Sequence, residues 1–313
     1  MNGKTLTPRS ESNMKRHIFI LAAILLAACS KTETSYEAPS EIAFTPVAEG
    51  MTKAAVEGVG YASDLPFNVF AQTTDSEAYF NNVKFEAGSE TSGGLTVYEG
   101  NPTQYWPRTK NLKFAGYTGT PYPAATMNAG FTDLTIEGYQ QSADNDLMYF
   151  FDSGEGGNGY NTESGIVSPT MKHACAWITI KVTGQDACAS WPIKQITVDG
   201  LSTSGTVVFN NTPGVAWSSL GATEDLIIFD TEATVATGPS AEAIVIPQTP
   251  VTLTVYYKDT SKSGISLQYN GAAEWEPGVH YTYTLNFLNP YKIDFSVDTV
   301  TPWDGTTPEI TIQ

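Results

Sequence analysis

The chain has 313 residues, 16 of them Lys or Arg and 33 Asp or Glu, for a formal net charge of −17. Residues 1–28 hold four of the basic residues and one of the acidic, so the remainder carries 12 basic and 32 acidic side chains. A surface that acidic repels phosphate backbones, which argues against nucleic acid as a partner; solubility is its simplest role.

The first element is a leader. Lys15, Arg16 and His17 precede eleven consecutive apolar residues, Ile18 to Ala28. A helix of that length reaches about 16 Å, half of a bilayer's hydrocarbon core, too short to span but suited to a secretory signal. The run closes on Leu26-Ala27-Ala28-Cys29, which resembles a bacterial lipobox, where the cysteine thiol is acylated and the chain is cut in front of it. An ordinary signal cut after Ala28 is the rival and would leave a free cysteine. Ser30, not Asp, follows the cysteine; by resemblance to other lipoproteins this favours the outer membrane. Residues 1–13 lie upstream of a second methionine, Met14, and read as a mis-assigned start. The polar stretch after Cys29 reads as a tether, and the acyl chain as the membrane anchor.

Beyond the tether the pattern has period two, the signature of half-buried strands. In residues 173–182 Ala174, Ala176, Ile178, Ile180 and Val182 share one face. Val251, Leu253, Val255 and Tyr257 alternate with polar or aromatic neighbours. So do Tyr281, Tyr283, Leu285 and Phe287, and then Ile293, Phe295 and Val297. Further strands are expected at 67–72, 112–117, 193–198, 206–209 and 243–246, with Gly, Pro, Asn and Asp between them. No long stretch has helical period. Many short strands with turn signals predict an all-β chain of antiparallel sandwiches. Residues 152–165 contain five glycines and read as a loop, with a domain boundary near 170. The expected division is a leader at 1–28, a tether and first strand at 29–53, and sandwiches at 54–170 and 171–313.

Catalytic patterns are sparse. His173 and His280 each open a strand pattern without a partner at ligand spacing and read as structural. The sequence has no nucleophile elbow, P-loop or zinc spacing. Asp152, Glu155, Asn158 and Asn161 are oxygen ligands that Ca²⁺ could use, but not in EF-hand order, so a plain loop is preferred. No cofactor or metal is expected, and no enzyme activity; a two-carboxylate hydrolase is the remote alternative. Tyr105-Trp106-Pro107 reads as packing before a sugar platform, and Trp177, Trp275 and Trp303 read as core. Export would permit a disulfide between Cys175 and Cys188, with two buried or free thiols as the plainer reading.

The order of several short pieces resembles the fimbrillin subunits and accessory proteins of type V pili. After the lipobox come IAFTPVAEGMTKA (42–54), YWP (105–107) with LKFAGY (112–117), and DLMY (146–149). HACAWITIKV (173–182), IPQ (246–248), WEPGVHYTYTL (275–285) and VTPW (300–303) follow. The resemblance implies two tandem transthyretin-like β-sandwich domains and a structural or adhesive fimbrial subunit at the cell surface. It implies lipidation at Cys29 and proteolytic cleavage between Lys53 and Ala54, where the family often has arginine. It further implies removal of the strand holding Ile42 and Phe44, then head-to-tail exchange with other subunits. The implied donor is the C-terminal segment with Ile293, Phe295 and Val297, extending as far as Ile310 and Ile312. A host or bacterial surface ligand is a further partner expected of such a subunit. The alternative is a monomeric outer-membrane lipoprotein that binds glycans, with Lys53 in an incidental linker.

Overall fold

A computed structural model of the chain describes residues 40–48, 65–118, 124–141, 146–212, 214–250, 252–257, 265–268, 274–289 and 292–303. Among them no α-helix occurs, and short 3-10 turns are the sole helical geometry. The chain is an all-β fold of several packed sheets.

In chain order the strands are β1 (Ala43–Phe44), β2 (Val47–Ala48), β3 (Phe67–Thr73), β4 (Ala78–Ser92), β5 (Leu95–Asn101), β6 (Leu112–Thr118) and β7 (Thr126–Met127). Next come β8 (Asp133–Gln140), β9 (Met148–Asp152), β10 (Thr170–His173), β11 (Ala176–Gly184), β12 (Pro192–Ser202), β13 (Ser204–Asn210) and β14 (Gly214–Ser218). The last are β15 (Thr223–Phe229), β16 (Ala233–Thr234), β17 (Ser240–Val245), β18 (Thr252–Tyr257), β19 (Ile265–Gln268), β20 (Val279–Asn289) and β21 (Lys292–Pro302).

One eight-stranded sheet runs β1-β5-β4-β3-β6-β9-β10-β2. Its central strands are apolar on both faces because both faces are covered. From β3, Phe67, Val69 and Ala71 enter a phenylalanine-rich core, while Phe70 points to a second core. In β6 Leu112 and Phe114 take the first side, Ala115 and Tyr117 the second. Gly116 has no room for a side chain, since a Cβ there would lie 2.4 Å from the Phe150 ring. The second core is shared with Leu134, Ile136 and Tyr139 of β8 and Val207 and Phe209 of β13, in the sheet β14-β13-β8-β7. Ile244 and Ile246 also reach it.

The third core is aliphatic and lies between two further sheets, β17-β11-β20-β21 and β15-β12-β18-β19. Ile178, Ile180 and Val182 of β11 meet Tyr281, Tyr283, Leu285 and Phe287 of β20 there, on the faces read from the alternation. Two features depart from the sequence reading. The pattern over 173–182 is two strands, because the chain leaves one sheet at His173 and joins another at Ala176; Ala174 accordingly lies in the second core and Ala176 in the third. And β11 runs parallel to β20, a long-range pairing that alternation alone does not specify. Pairing between β8 and β13 joins residues on either side of position 170.

Candidate functional site: a groove filled by the N-terminal segment

Residues 40–48 supply both end strands of the eight-stranded sheet. β1 pairs antiparallel with β5, placing Ala43 opposite Glu99 and Phe44 opposite Tyr98. Three residues later β2 pairs parallel with β10, placing Val47 opposite Thr170 and Ala48 opposite Met171. Between them the backbone is held at Val167: Thr45 N–H donates to its carbonyl at 2.9 Å, and Val167 N–H donates to the Ala43 carbonyl at 3.1 Å. Ile42 N–H donates to the Gln104 carbonyl at 2.8 Å, and Trp106 N–H to the Ser40 carbonyl at 3.0 Å. One short segment thus satisfies the N–H and C=O groups of two otherwise open edges.

Its side chains fill the space between those edges. Ile42 is 1% exposed and Phe44 is 0% exposed. The Phe44 ring packs edge-on against Phe85 at 4.8 Å, Phe114 at 5.2 Å and Phe67 at 5.9 Å. Edge-to-face pairs of this kind add about 0.5–1.5 kcal/mol each beyond area burial, itself about 1.5–3 kcal/mol for a phenylalanine. Thr45 is buried too, and its hydroxyl shares a 2.6 Å hydrogen bond with the Ser168 hydroxyl. Pro46 and Ala48 are also buried, whereas Ala43 and Val47 are half-buried on the outward side. Without the segment, the groove would present a wall of aromatic rings and two rows of unpaired backbone groups.

The sequence reading singled out Ile42 and Phe44, and both sit in this groove. Thr45, Val167 and Ser168 were missed. Thr45 carried a signal, a hydroxyl in an otherwise apolar run; Val167 and Ser168 leave a glycine-rich loop and carried none. Cys29, Lys53, Ala54, Ile310 and Ile312 lie outside the described residues. The expected donor residues Ile293, Phe295 and Val297 occupy β21, at the edge of its sheet among the described residues. All three are half-buried against the third core, with Phe295 stacked on Tyr283 at 5.5 Å.

The sequence profile described as fimbrillin-like matches residues 52–303. The chain belongs to the fimbrillin-like family. Solved structures similar to it include a candidate cell adhesion protein of Bacteroides uniformis, 18% identical with a TM-score of 0.57, the alignment covering 84% of this chain and 98% of that one. Another, from Bacteroides ovatus, is 13% identical with a TM-score of 0.55 and coverage of 85% and 99%. At these identities the likeness is one of fold. A comparison with curated proteins finds no match.

In this fimbrillin-like chain the two histidines among the described residues, His173 and His280, have packing partners. His173 Nδ1 lies 2.7 Å from Asp146 Oδ2, with its ring stacked on Trp303 at 4.0 Å. His280 Nε2 lies 2.8 Å from the Thr179 hydroxyl, with its ring stacked on Trp177 at 3.7 Å. Burial, and then the positive charge of Lys181, pulls the His280 pKa down to about 4, so the ring is neutral at pH 7. Cys175 and Cys188 are both buried free thiols. Burial, reinforced by the Asp146 charge, pushes the Cys175 thiol well above its ordinary range, so it is unreactive at neutral pH. Trp106, Trp275 and Trp303 are buried core residues, and Trp177 is half-buried. In the 152–165 loop Asp152 Oδ1 accepts from the Tyr160 hydroxyl at 2.9 Å and the Gly154 N–H at 3.0 Å. Among the described residues no group of three or more His, Cys, Asp or Glu side chains has metal-binding geometry.

Proposed function

We propose that the chain is a structural or adhesive subunit of a cell-surface fimbria, assembled by strand exchange at the groove that residues 40–48 fill. Two sandwich units, 54–170 and 171–313, form its body: the phenylalanine-rich core draws on residues 42–171 and the aliphatic core on residues from 176 onward, while β13 and β14 of the second unit join β7 and β8 of the first around a core drawn from both. The chain is exported as a lipoprotein precursor acylated at Cys29, which tethers it to the outer membrane. Cleavage between Lys53 and Ala54 cuts the covalent link to the groove segment, which then leaves. A neighbour's C-terminal strand, carrying Ile293, Phe295 and Val297, takes its place. The contact is head-to-tail, so it propagates as a filament instead of closing.

The observation that carries this reading is the burial of Phe44 inside a ring of phenylalanines by a segment that pairs with both ends of its sheet. A segment built this way is at once essential to the closed fold and replaceable by any strand with the same pattern. Family membership supports a fimbrial part and a non-enzymatic one. The test uses soluble chain from Ser30 onward, treated briefly with trypsin. The cut is confirmed by N-terminal sequencing, and size is followed by light scattering and negative-stain microscopy. A cut after Lys53 followed by rods or ladders is expected; a clean cut with a persistent monomer removes self-assembly.

A second reading, a monomeric surface lipoprotein that binds glycans, has one observation in its favour. Tyr105 and Tyr79 are 43% and 39% exposed, and the Tyr79 hydroxyl donates to the Tyr105 carbonyl at 2.7 Å. Retention of an oligosaccharide on a column, lost on Tyr105→Ala, is its test.

A further inference from the structure

The groove segment and the C-terminal edge strand spell the same pattern. Ile42-Ala43-Phe44-Thr45-Pro46 and Ile293-Asp294-Phe295-Ser296-Val297 both read isoleucine, any residue, phenylalanine, hydroxyl, apolar. Of the 14 phenylalanines in the chain, these two alone follow an isoleucine by two positions and precede Ser or Thr. Four of the five positions in the groove segment are buried, and those four are the ones the pattern matches: Ile42, Phe44, Thr45 and Pro46. The fifth, Ala43, is only half-buried and faces outward, where Asp294 is sterically acceptable. Beyond this stretch the correspondence lapses, since buried Ala48 would align with Thr299.

We propose that the groove accepts residues 293–297 of a second copy of this chain in one register, with Ile293 in the seat of Ile42 and Phe295 in the seat of Phe44. This rests on the strand-exchange reading above and adds to it the alignment, residue against residue. Burial gives the direction of transfer. In β21 Ile293, Phe295 and Val297 are half-buried at a sheet edge, whereas Ile42 and Phe44 are 1% and 0% exposed in the groove. A strand that moves from the edge to the groove exchanges one ladder for another and gains apolar burial, which is the favourable difference. Ser296 arrives where the Thr45 hydroxyl now meets Ser168, so the one buried hydroxyl partner is preserved.

The register also carries a penalty that identifies it. Ala43 is opposite Glu99 in the β1–β5 pair, so the incoming Asp294 faces Glu99 with like charge. Like charges directly opposite across strands are destabilising by an amount equal to about a two- to five-fold change in an equilibrium constant. Lys292, 3.4 Å from Asp294 in β21, travels with it and offsets part of this, which places the effect at the low end. No shift of the register by two residues reproduces the pair.

The experiment mixes two soluble chains from Ser30 onward, one with Glu99→Cys and one with Asp294→Cys, both at exposed positions. They are cut with trypsin, allowed to assemble and oxidised, and disulfide-linked dimers are read on a non-reducing gel. Parallel mixtures replace Asp294→Cys by Lys292→Cys or Ser296→Cys. A dimer with Asp294→Cys alone, together with Glu99→Gln speeding assembly by about two-fold, supports the register. Assembly with cross-linking through Lys292→Cys or Ser296→Cys instead, or through none of the three, overturns the register and leaves strand exchange intact. No assembly in any mixture, the unsubstituted chain included, overturns strand exchange and this inference with it. Phe295→Ala is a second check: assembly slows about 100-fold or more if the ring fills the Phe44 seat, and is unaffected if another segment is the donor.

Discussion

Two strands with nearly the same sequence pattern sit in opposite settings in this chain. The segment 42–46 is enclosed, hydrogen-bonded on both sides and centred on a fully buried phenylalanine. β21 lies at the edge of its sheet among the described residues, with its own isoleucine, phenylalanine and valine half-buried. The contrast separates what a strand's pattern does from what its setting does. Alternation gives each strand one apolar face, but the energy that face contributes depends on how completely its neighbours enclose it.

Single substitutions can break that contrast, and the largest effect is expected at its centre. Phe44→Ala in the uncut chain leaves a hole among Phe67, Phe85 and Phe114 and is expected to cost about 3–5 kcal/mol, read by chemical denaturation. An effect below about 1 kcal/mol would mean that the groove closes without its plug.

The next effect belongs to the C-terminal sheet and depends on pH. His280, opposite Thr301 of β21, has its pKa lowered from the ordinary 6.5 to about 4. Between those values the unfolded chain binds a proton that the folded chain refuses. The stability this group contributes is therefore complete above about pH 6.5 and is lost as the pH falls toward 4. After discounting for the ring's partial exposure the loss is about 2 kcal/mol. His280→Gln should flatten this part of the pH profile of thermal unfolding; an unchanged slope would place the acid sensitivity elsewhere.

Smaller effects refine the comparison. Phe295→Ala should cost the uncut chain only about 1–2 kcal/mol, because the ring is half-buried, well under the cost at Phe44. Equal costs for the two phenylalanines would erase the distinction between enclosed and edge strands. Thr45→Val keeps the shape but removes the hydroxyl shared with Ser168, and about 1 kcal/mol is expected by the same denaturation assay.

Much of this was legible in the residues themselves. The faces of β20 and most of β11 were read from alternation, because a strand's two-residue period is local and its buried face follows directly. Ile42 and Phe44 stood out for the same reason. The sequence read 173–182 as one strand, since nothing local marks the point where the chain passes between sheets at Ala174 and Cys175. Nor did it reveal Val167 and Ser168 as the groove's far wall. They lie more than 100 residues from Phe44 and are brought to it by sheet closure.

The sequence by itself determined that this is an all-β chain, which side chains turn inward along most strands, and that one short N-terminal segment carries an alternating apolar pair. Those follow from period and composition, which act over a few residues. The tertiary structure decided that the segment supplies both ends of one sheet, that Phe44 is sealed within a ring of phenylalanines, and that its C-terminal look-alike is left at an edge. Strand partners are chosen by hydrogen bonds and packing between residues far apart in the chain, and no local pattern encodes that choice.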